Sequence, residues 1–327
     1  MRLGIIGSGL IVQEFLPEMV QMEGLDVVAI QGVPGYEEQI RKLCDDNGVP
    51  YALTDFEELC KLDIDTVYIA VPNFLHCSYC KDALNKGLNV IVEKPMTSNY
   101  KEAKELSDLA RQKGLFIFEA VTTVYFEAFE KIREWLKEIG TIKNVNMNYC
   151  QYSRRYDEFR NGVTLPAFDP KKSGGALMDL GLYNLHFIMG LFGRPQAYRY
   201  YPNIERNIDT SGVMIMEYEG FKAMSVAAKD CSAPFYCAIS GTDGNITIQY
   251  PANFIGKVTL TRNDGSTQEF EDGFAYKRLL PEFHAFISMI NSNDHKACYE
   301  RLDHSLEVSE VKTKARLEAG IFFPCDE

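Results

Sequence analysis

The sequence predicts an α/β protein: a doubly wound parallel sheet, then an α+β domain with a large, open, mainly antiparallel sheet. Residues 2–120 alternate short apolar runs with amphipathic stretches, the pattern of βαβ units. A glycine-rich turn follows the first apolar run. After residue 122, apolar strands follow one another with few helices between them. At 327 residues the chain is long enough for two domains, which we place at 1–122 and 123–327.

Periodicity predicts the elements of the first domain. The expected strands are 3–6, 26–30, 66–71, 89–92 and 116–118. The expected helices are 10–22, 36–47, 75–86 and 100–113. Glycine can take the left-handed conformation that often ends a helix, and glycines stand where these helices should stop, at Gly24, Gly48, Gly87 and Gly114.

The second domain is predicted to begin with a helix at 125–139 and to continue mainly as strands. The expected strands are 145–152, 213–218, 221–228, 236–240, 245–250, 257–261 and 267–270. Glu219-Gly220 is a suitable two-residue hairpin connection, so strands 213–218 and 221–228 should pair. Further helices are expected at 276–290 and 304–319.

Composition excludes several classes of function. A formal net charge of -12 disfavours a nucleic-acid partner. No export signal or run of about 18 apolar residues is apparent, so we expect a cytoplasmic protein with no membrane partner. The nine cysteines have no repeating spacing. Cys77 and Cys80 form a single C-x-x-C pair without the further ligands of a zinc set, and we predict no metal site.

The turn Gly7-Ser8-Gly9-Leu10-Ile11 is typical of a dinucleotide site. Gly7 permits a tight turn, Gly9 lets the backbone approach a pyrophosphate, and the helix N-terminus supplies amide donors. Val12 departs from the small residue usual at the third position. A tight turn without a ligand is the alternative interpretation. Gln31 occupies the position that usually contacts the adenosine ribose of the dinucleotide. Because glutamine can bind a hydroxyl without repelling a phosphate, the sequence is compatible with both NAD and NADP.

Two further groups end strands at the carboxyl edge, where doubly wound folds bind ligands. The first group is Val71, Pro72, Asn73 and His76, and the second is Glu93-Lys94-Pro95. A lysine that closes an apolar strand is costly to bury unless its charge is used. Lys94 is therefore predicted to bind a substrate oxygen and to stabilise developing alkoxide charge, with a surface ion pair to Glu93 as the alternative.

A third group lies within residues 174–186. If residues 176–190 form an α-helix, Asp179, Tyr183 and His186 share one face, which suggests the wall of a cleft. Asp179 could instead complement the helix dipole, and His186 could be a core histidine with its hydrogen bonds satisfied.

In order and spacing, these motifs resemble the Gfo/Idh/MocA oxidoreductase family. The resemblance rests on Gly7-Ser8-Gly9, Pro72-Asn73 with His76, Glu93-Lys94-Pro95, and the segment from Gly174 to Tyr183. It implies a dinucleotide-binding domain, holding NAD or NADP at the cofactor residues named above, followed by a substrate domain. The open sheet of that second domain often forms a dimer surface, so a homodimer or a dimer of dimers is expected. It also implies Lys94 at the substrate oxygen, beside a cis Lys94-Pro95 peptide.

A tyrosine at position 183 makes the chain similar to one branch of this family, which contains dihydrodiol dehydrogenase, glucose-fructose oxidoreductase and xylose dehydrogenase. In that branch the tyrosine would move the hydroxyl proton, and Arg155 and Tyr156 would lie near the substrate pocket, with a plain surface loop as the alternative. Asp179 is expected to position the substrate or to tune its neighbours. The implied activity is hydride transfer between nicotinamide and a carbinol or carbonyl carbon of a sugar, polyol or dihydrodiol-like small molecule. A non-catalytic dinucleotide sensor on the same scaffold is the alternative.

Overall fold

The computed structural model describes residues 1–273 and 277–327. By packing, the chain forms two compact units, one of Met1–Ala120 with Glu282–Leu306, the other of Val121–Pro281 with Glu307–Glu327. The sequence did not predict that Glu282–Leu306 packs with the first unit. The division into continuous domains at residue 122 stays a prediction.

The first unit is built on a six-stranded parallel sheet with the order β3-β2-β1-β4-β5-β6. Its strands are β1 Arg2–Ile6, β2 Asp26–Gln31, β3 Tyr51–Leu53, β4 Thr66–Ile69, β5 Asn89–Glu93 and β6 Ile117–Ala120. The predicted doubly wound sheet is thus confirmed. Sequence analysis missed β3, a three-residue edge strand that is only partly buried and too short to show a period of two.

Five helices accompany this sheet within residues 1–120: α1 Leu10–Met19, α2 Glu37–Asn47, α3 Phe56–Leu59, α4 His76–Asn85 and α5 Tyr100–Lys113. Gly48 and Gly114 end α2 and α5 in the left-handed conformation, as predicted. The single-turn α3 was missed, because one turn shows no helical period. Its start is fixed locally by Asp55, whose side chain accepts from the amide of Glu58.

The second unit contains an eight-stranded mixed sheet with the order β14-β13-β12-β11-β7-β10-β9-β8. Its strands are β7 Ile142–Cys150, β8 Ala197–Glu205, β9 Ile208–Tyr218, β10 Phe221–Ala228, β11 Cys237–Gly241, β12 Gly244–Ile248, β13 Lys257–Arg262 and β14 Thr267–Glu271. Among the strands that the structure describes in this sheet, only β7 and β10 pair in parallel, so the mainly antiparallel sheet is confirmed. The predicted hairpin is present, with Phe221 opposite Tyr218 and Gly220 at φ +82°. Sequence analysis missed β8, an edge strand that contains Pro202, a residue tolerated only at sheet edges and bulges.

The helices after residue 121 are α6 Glu127–Trp135, α7 Arg154–Arg160, α8 Leu182–Phe192, α9 Leu280–Asn291 and α10 His295–Glu318. The segment Leu177–Gly181 before α8 is π-helical, whereas the sequence pattern predicted an α-helix. The predicted start of α9 at Tyr276 lies outside the described residues. Helix α10 begins nine residues before the predicted 304, because the side chain of Asp294 accepts from the amide of Ala297 and caps it there.

One helical stretch within the described residues, Pro170–Phe192, is long and apolar enough to cross a membrane by composition, with a mean hydropathy of 1.2. The core of the second unit explains this apolar character: 78% of the stretch's most apolar window is buried inside the protein, as in a core helix of a globular domain.

Candidate active site

The turn after β1 has the geometry of a phosphate-binding loop. Gly7 has φ +114°, and a Cβ atom there would lie 2.2 Å from the carbonyl oxygen of Ala70. Glycine is therefore required where β1 and β4 approach each other. At Gly9, by contrast, a Cβ atom would meet no described residue within 4 Å, so the backbone there is open to a ligand. Gly9 directly precedes α1, and no side chain caps this end of the helix, so its first amides are available to a ligand.

A cavity of about 400 Å³ opens beside this turn. Its wall includes six predicted cofactor residues, Gly7, Ser8, Gly9, Gln31, Val71 and Pro72. The wall also includes residues that sequence analysis did not identify, Ile6, Gln13, Gly32, Val33, Tyr36, Gln39, Ala70, Leu75 and Tyr79. A largely apolar cavity of this size with a few polar groups is typical of cofactor sites, and it fits the adenosine and pyrophosphate portions of NAD or NADP.

Gln31 provides a second indication that this cavity binds a ligand. Its side chain is nearly buried, and Nε2 donates to the carbonyl oxygen of Gly32 over 3.1 Å. Oε1 is buried and has no hydrogen-bond partner in the part of the chain that the structure describes. Because a buried acceptor without a donor is unfavourable, Gln31 fits a ligand that brings a donor.

Not every predicted cofactor residue lies on the wall of this cavity. The others are Leu10, Ile11, Asn73, His76, Glu93 and Lys94. Leu10 is 72% exposed at the start of α1. The contacts predicted between these six residues and a cofactor stay predictions.

Lys94 follows directly after β5, and the Lys94-Pro95 peptide is cis, as the family resemblance implied. The side chain of Lys94 is partly exposed, while the four residues from Pro95 to Ser98 are buried. The lysine therefore lies at the carboxyl end of the parallel sheet, at the surface of an otherwise buried segment.

Three side chains from neighbouring elements form hydrogen bonds with the segment around Lys94, one to the side chain of Glu93 and two to the backbone. The hydroxyl of Tyr68 in β4 donates to Glu93 over 2.5 Å, and the amide of Met96 donates to Glu119 in β6 over 2.8 Å. His76 is fully buried, with Nδ1 2.8 Å from the carbonyl oxygen of Pro95 and Nε2 2.8 Å from that of Val71. These contacts give His76 a positioning role between the ends of β4 and β5.

In the second unit, Asp179 forms an ion pair with a lysine that sequence analysis missed. Lys229 follows β10, and its Nζ lies 2.7 Å from Oδ2 of Asp179. The same ammonium group donates to the carbonyl oxygen of Ala167 over 3.1 Å and lies 5.0 Å from the centre of the Phe168 ring. The Lys229 side chain is only 3% exposed, whereas that of Asp179 is 35% exposed. The pair thus presents a carboxylate at the surface with a buried cation behind it.

The π-helical turn that carries Asp179 is held by a second buried carboxylate. Oδ2 of Asp209 accepts from the amide of Leu177 and from the hydroxyl of Tyr200, each over 2.7 Å. Gly175 has φ +109°, and a Cβ atom there would lie 2.1 Å from Oδ1 of Asp209. The predicted Gly174-Gly175 motif therefore makes room for Asp209. Burial raises the pKa of Asp209 to about 6, and the bonds from Leu177 and Tyr200 act in the opposite direction.

Tyr183 lies in the first turn of α8 and is 5% exposed. Its ring centre is 6.0 Å from that of Tyr149 in β7. The next residue, Asn184, donates to Ser225 and to the carbonyl oxygen of Val226, which ties α8 to β10. His186 is fully buried, which places it in the core, while the satisfaction of its hydrogen bonds stays a prediction. Because the turn that carries Asp179 is π-helical, the α-helical spacing used to predict one shared face does not apply across it.

Arg155 and Tyr156 lie in α7. Arg155 is exposed, and its backbone amide donates to the side chain of Ser153. The Tyr156 ring lies 5.7 Å from Phe168, the ring beside Lys229. The Tyr156 hydroxyl donates to Glu205 over 2.7 Å, which together with desolvation raises the pKa of the phenol to about 12. Tyr156 thus lies near the Asp179–Lys229 pair, while contact of either residue with substrate stays a prediction.

The C-x-x-C pair gives no support for redox chemistry. Cys80 is fully buried, and burial raises the pKa of its thiol well above the ordinary value, which disfavours the reactive thiolate. Among residues 1–273 and 277–327, no group of three or more histidine, cysteine, aspartate or glutamate side chains is arranged to hold a metal ion.

Comparison with known proteins assigns both halves of the chain. Residues 1–121 match the Gfo/Idh/MocA domain described as "Oxidoreductase family, NAD-binding Rossmann fold", and residues 129–247 match a C-terminal domain of that family. Scyllo-inositol 2-dehydrogenase (NADP(+)) IolU of Bacillus subtilis is 30% identical, and the match covers 100% of this chain and 99% of that protein.

Two other similar proteins span nearly the whole chain. Trans-1,2-dihydrobenzene-1,2-diol dehydrogenase of Mus musculus is 27% identical and covers 100% of this chain and 99% of its own length. A crystal structure of KijD10, a 3-ketoreductase from Actinomadura kijaniata in complex with NADP and TDP-benzene, covers 99% of both chains at 20% identity with a TM-score of 0.85, a likeness of fold.

The two domain matches, the dehydrogenase relatives and the cavity beside Gly7 agree with one another. They favour an enzyme over the non-catalytic sensor. The chain belongs to the Gfo/Idh/MocA family and is an NAD(P)-dependent oxidoreductase.

Proposed function

We propose that this enzyme transfers a hydride between nicotinamide and a carbon of a sugar, cyclitol or dihydrodiol that carries a neighbouring hydroxyl group. The relatives named for scyllo-inositol and for trans-1,2-dihydrobenzene-1,2-diol support this class, and so does D-xylose 1-dehydrogenase (NADP(+)) 2 of Haloferax volcanii, which is 27% identical. The compounds in these three names share vicinal hydroxyl groups. The observation that carries the proposal is the Asp179–Lys229 pair, because a partly exposed carboxylate held in place is a good acceptor for the second hydroxyl.

The residues around the cavity in the first unit would hold the dinucleotide. The amides after Gly7 and Gly9 suit the pyrophosphate, and Gln31 suits the adenosine ribose. When bound, the nicotinamide supplies or accepts the hydride at C4. The pyrophosphate and ribose contacts make no use of Lys94, so loss of the lysine should leave dinucleotide affinity nearly intact.

Lys94 and Tyr183 are proposed as the residues that handle the substrate oxygen. In the oxidation direction the carbinol carbon loses a hydride, its oxygen loses a proton, and a carbonyl group forms. The Lys94 ammonium donates a hydrogen bond to that oxygen and stabilises its developing negative charge. The Tyr183 phenolate accepts the proton in this direction and becomes the neutral phenol, which returns the proton in reduction.

Asp179 is proposed to orient the substrate through its neighbouring hydroxyl, with Arg155 and Tyr156 as further contacts. Lys229 acts as a positioning residue, since its ammonium group holds one oxygen of the Asp179 carboxylate at 2.7 Å. A carboxylate held in one geometry orients the substrate better than one that rotates, because less conformational freedom is lost on binding.

We also propose that the enzyme acts in the cytoplasm as a dimer, or as a dimer of dimers, through the outer face of the second unit's sheet. Two cross-strand pairs of half-buried apolar residues support this, Val213 opposite Val226 and Ile215 opposite Met224. Paired apolar side chains in central strands are typical of a surface that a partner covers. Ile215→Lys should shift the mass measured by light scattering to that of a monomer of 37.1 kDa.

A substrate panel tests the proposed activity. Purified enzyme with NAD or NADP is mixed with scyllo-inositol, D-xylose and a trans-dihydrodiol, and with their mono-deoxy analogues. Formation of reduced dinucleotide is followed by absorbance. We expect turnover of at least one vicinal diol, with a much lower kcat/KM for the analogue that lacks the neighbouring hydroxyl. Equal kcat/KM for both members of a pair would contradict the proposed role of Asp179.

A further inference from the structure

An unsatisfied acceptor at the end of β2 is followed by a carboxylate at the first residue of α2. The side-chain nitrogen Nε2 of Gln31 donates a hydrogen bond to the carbonyl oxygen of Gly32. The side-chain oxygen Oε1 is buried and has no hydrogen-bond partner among the described residues. Leaving such an acceptor unsatisfied in the interior of a protein is unfavourable. A ligand that offers an O–H group at this point would remove that cost.

The loop after Gln31 is poorly suited to a phosphate. The amide of Gly35 donates to both carboxylate oxygens of Glu37, over 2.9 and 3.0 Å. This bond lowers the pKa of Glu37, so the carboxylate is charged at neutral pH. A backbone amide that would suit a phosphate oxygen is therefore already bound to a negative group, and Glu38 adds a second acidic residue to the first turn of α2.

The cavity wall also lacks a cation to neutralise a phosphate. Within the described residues, its lining contains no lysine and no arginine. Its polar side chains are Ser8, Gln13, Gln31, Tyr36, Gln39 and Tyr79, all uncharged in their ordinary forms. A phosphate monoester carries about 1.5 to 2 negative charges at pH 7, so at this wall it would meet only uncharged side chains. The Glu37 carboxylate lies in the chain between two lining residues, Tyr36 and Gln39.

NAD and NADP differ only at the adenosine ribose, where NAD has a 2′-hydroxyl and NADP a 2′-phosphate. The hydroxyl is a donor, whereas the phosphate dianion offers none. In doubly wound folds the side chain at the end of the second strand contacts this 2′ group. A hydrogen-bond acceptor at that position binds the hydroxyl, whereas an arginine binds the phosphate. We propose that this enzyme prefers NAD to NADP, with Gln31 accepting from the 2′-hydroxyl and Glu37 disfavouring the 2′-phosphate.

This preference differs from the NADP(+) in the names of the Bacillus subtilis and Haloferax volcanii relatives. It rests on the dinucleotide binding of the family and on residues of the first unit alone. The proposed roles of Lys94 and Tyr183 do not enter it. A binding measurement without substrate therefore separates failure of the preference from failure of the proposed reaction.

The test is a fluorescence titration of the full-length enzyme with NADH and with NADPH. We expect a Kd for NADH at least about tenfold lower, a difference of about 1.4 kcal/mol. Equal affinities, or tighter binding of NADPH, would overturn the proposal. Binding of neither dinucleotide would overturn it together with the assignment of the cavity.

Two variants assign the preference to its residues, and Glu38→Gln serves as the matched control. Glu37→Gln keeps an acceptor for the Gly35 amide but removes the charge, so NADPH should bind about fivefold tighter while NADH changes less than about twofold. Gln31→Ala should weaken the binding of NADH about fivefold and leave the binding of NADPH nearly unchanged.

Glu38→Gln removes an equal charge one residue away and should leave the ratio of the two Kd values within about twofold of wild type. Equal effects of Glu37→Gln and Glu38→Gln, or equal weakening of both dinucleotides by Gln31→Ala, would contradict the assignment.

Discussion

The ammonium group of Lys229 lies 2.7 Å from Oδ2 of Asp179, with the lysine buried and the carboxylate partly exposed. Breaking a buried ion pair from one side is unfavourable, because it leaves the other charge without compensation. The pair therefore links the sheet, through the residue after β10, to the π-helical turn before α8.

Removing the charge of Lys229 should impair the reaction through Asp179. Lys229→Met keeps most of the side-chain volume, and we expect kcat to fall about 10- to 100-fold while the Kd of NADH changes less than about twofold. In a double-mutant cycle with Asp179→Asn, the two losses should not multiply, because both variants remove the same interaction. Lys222→Met, at an exposed ion pair with Glu217, is the matched control and should retain wild-type kcat.

Three outcomes of that cycle are distinct. A normal kcat in Asp179→Asn would contradict the role of the carboxylate itself. A normal kcat in Lys229→Met alone would contradict the positioning role of the lysine. Losses that multiply would show that the two residues act independently.

Gly175 should tolerate a side chain less well than another glycine with a similar backbone. Gly175→Ala places a methyl group 2.1 Å from Asp209 at φ +109°, whereas Gly162→Ala, at φ +92°, has no described atom within 4 Å of its Cβ. We expect Gly162→Ala to lower the free energy of unfolding by about 1–2 kcal/mol, and Gly175→Ala by about 2–4 kcal/mol because hydrogen bonds to Asp209 are also disturbed. Urea denaturation measures both values. Equal losses would mean that Asp209 does not require the glycine.

Asp209 should make the stability of the protein depend on pH. Its pKa is raised from 3.8 to about 6 in the folded state, so the folded protein binds this proton more tightly than the unfolded chain. Below about pH 4, protonated Asp209 contributes up to about 3 kcal/mol to the free energy of unfolding. This contribution is lost as the pH rises to about 6. Asp209→Asn cannot titrate. The free energy of unfolding of wild type minus that of the variant should therefore decrease from pH 4 to pH 6.5 in urea titrations. A difference that stays constant or increases over this range would contradict the raised pKa.

Tyr68→Phe should affect the reaction without affecting dinucleotide binding. The variant removes a hydrogen bond of 2.5 Å to Glu93, next to Lys94, and we expect kcat to fall about 3- to 10-fold because the lysine is held less firmly. Tyr299→Phe removes a weaker bond, to the carbonyl oxygen of Leu115, and is the matched control. An unchanged kcat in Tyr68→Phe would mean that this bond does not position the lysine.

Much of the fold follows from local patterns in the sequence. The strands of the parallel sheet were predicted from their apolar runs, and they are present. The hairpin was predicted from the turn residue Gly220, and it is present too. Elements that depend on tertiary contacts were missed. Edge strand β8 contains Pro202, and the π-helical turn depends on Asp209, which lies 28 or more residues later in the chain.

The candidate site was predictable where a motif is continuous and not where it is assembled from distant residues. Gly7, Gly9 and Gln31 line one cavity, as their spacing indicated. Lys229 was not identified, although it closes an apolar strand just as Lys94 does. The same reasoning applied to both lysines would have found it. Its partner Asp179 is 50 residues away, so only the folded structure pairs them.

The most direct test of the proposed reaction is a double-mutant cycle of Lys94→Met and Tyr183→Phe in single-turnover hydride transfer. The rate is followed by the absorbance of the reduced dinucleotide, and its Kd is measured separately by fluorescence. We predict that each variant transfers hydride at least about 100-fold more slowly with its Kd within about threefold of wild type, and that the double variant is little slower than either single variant. A wild-type rate in either single variant would contradict the assignment of these two residues to the substrate oxygen.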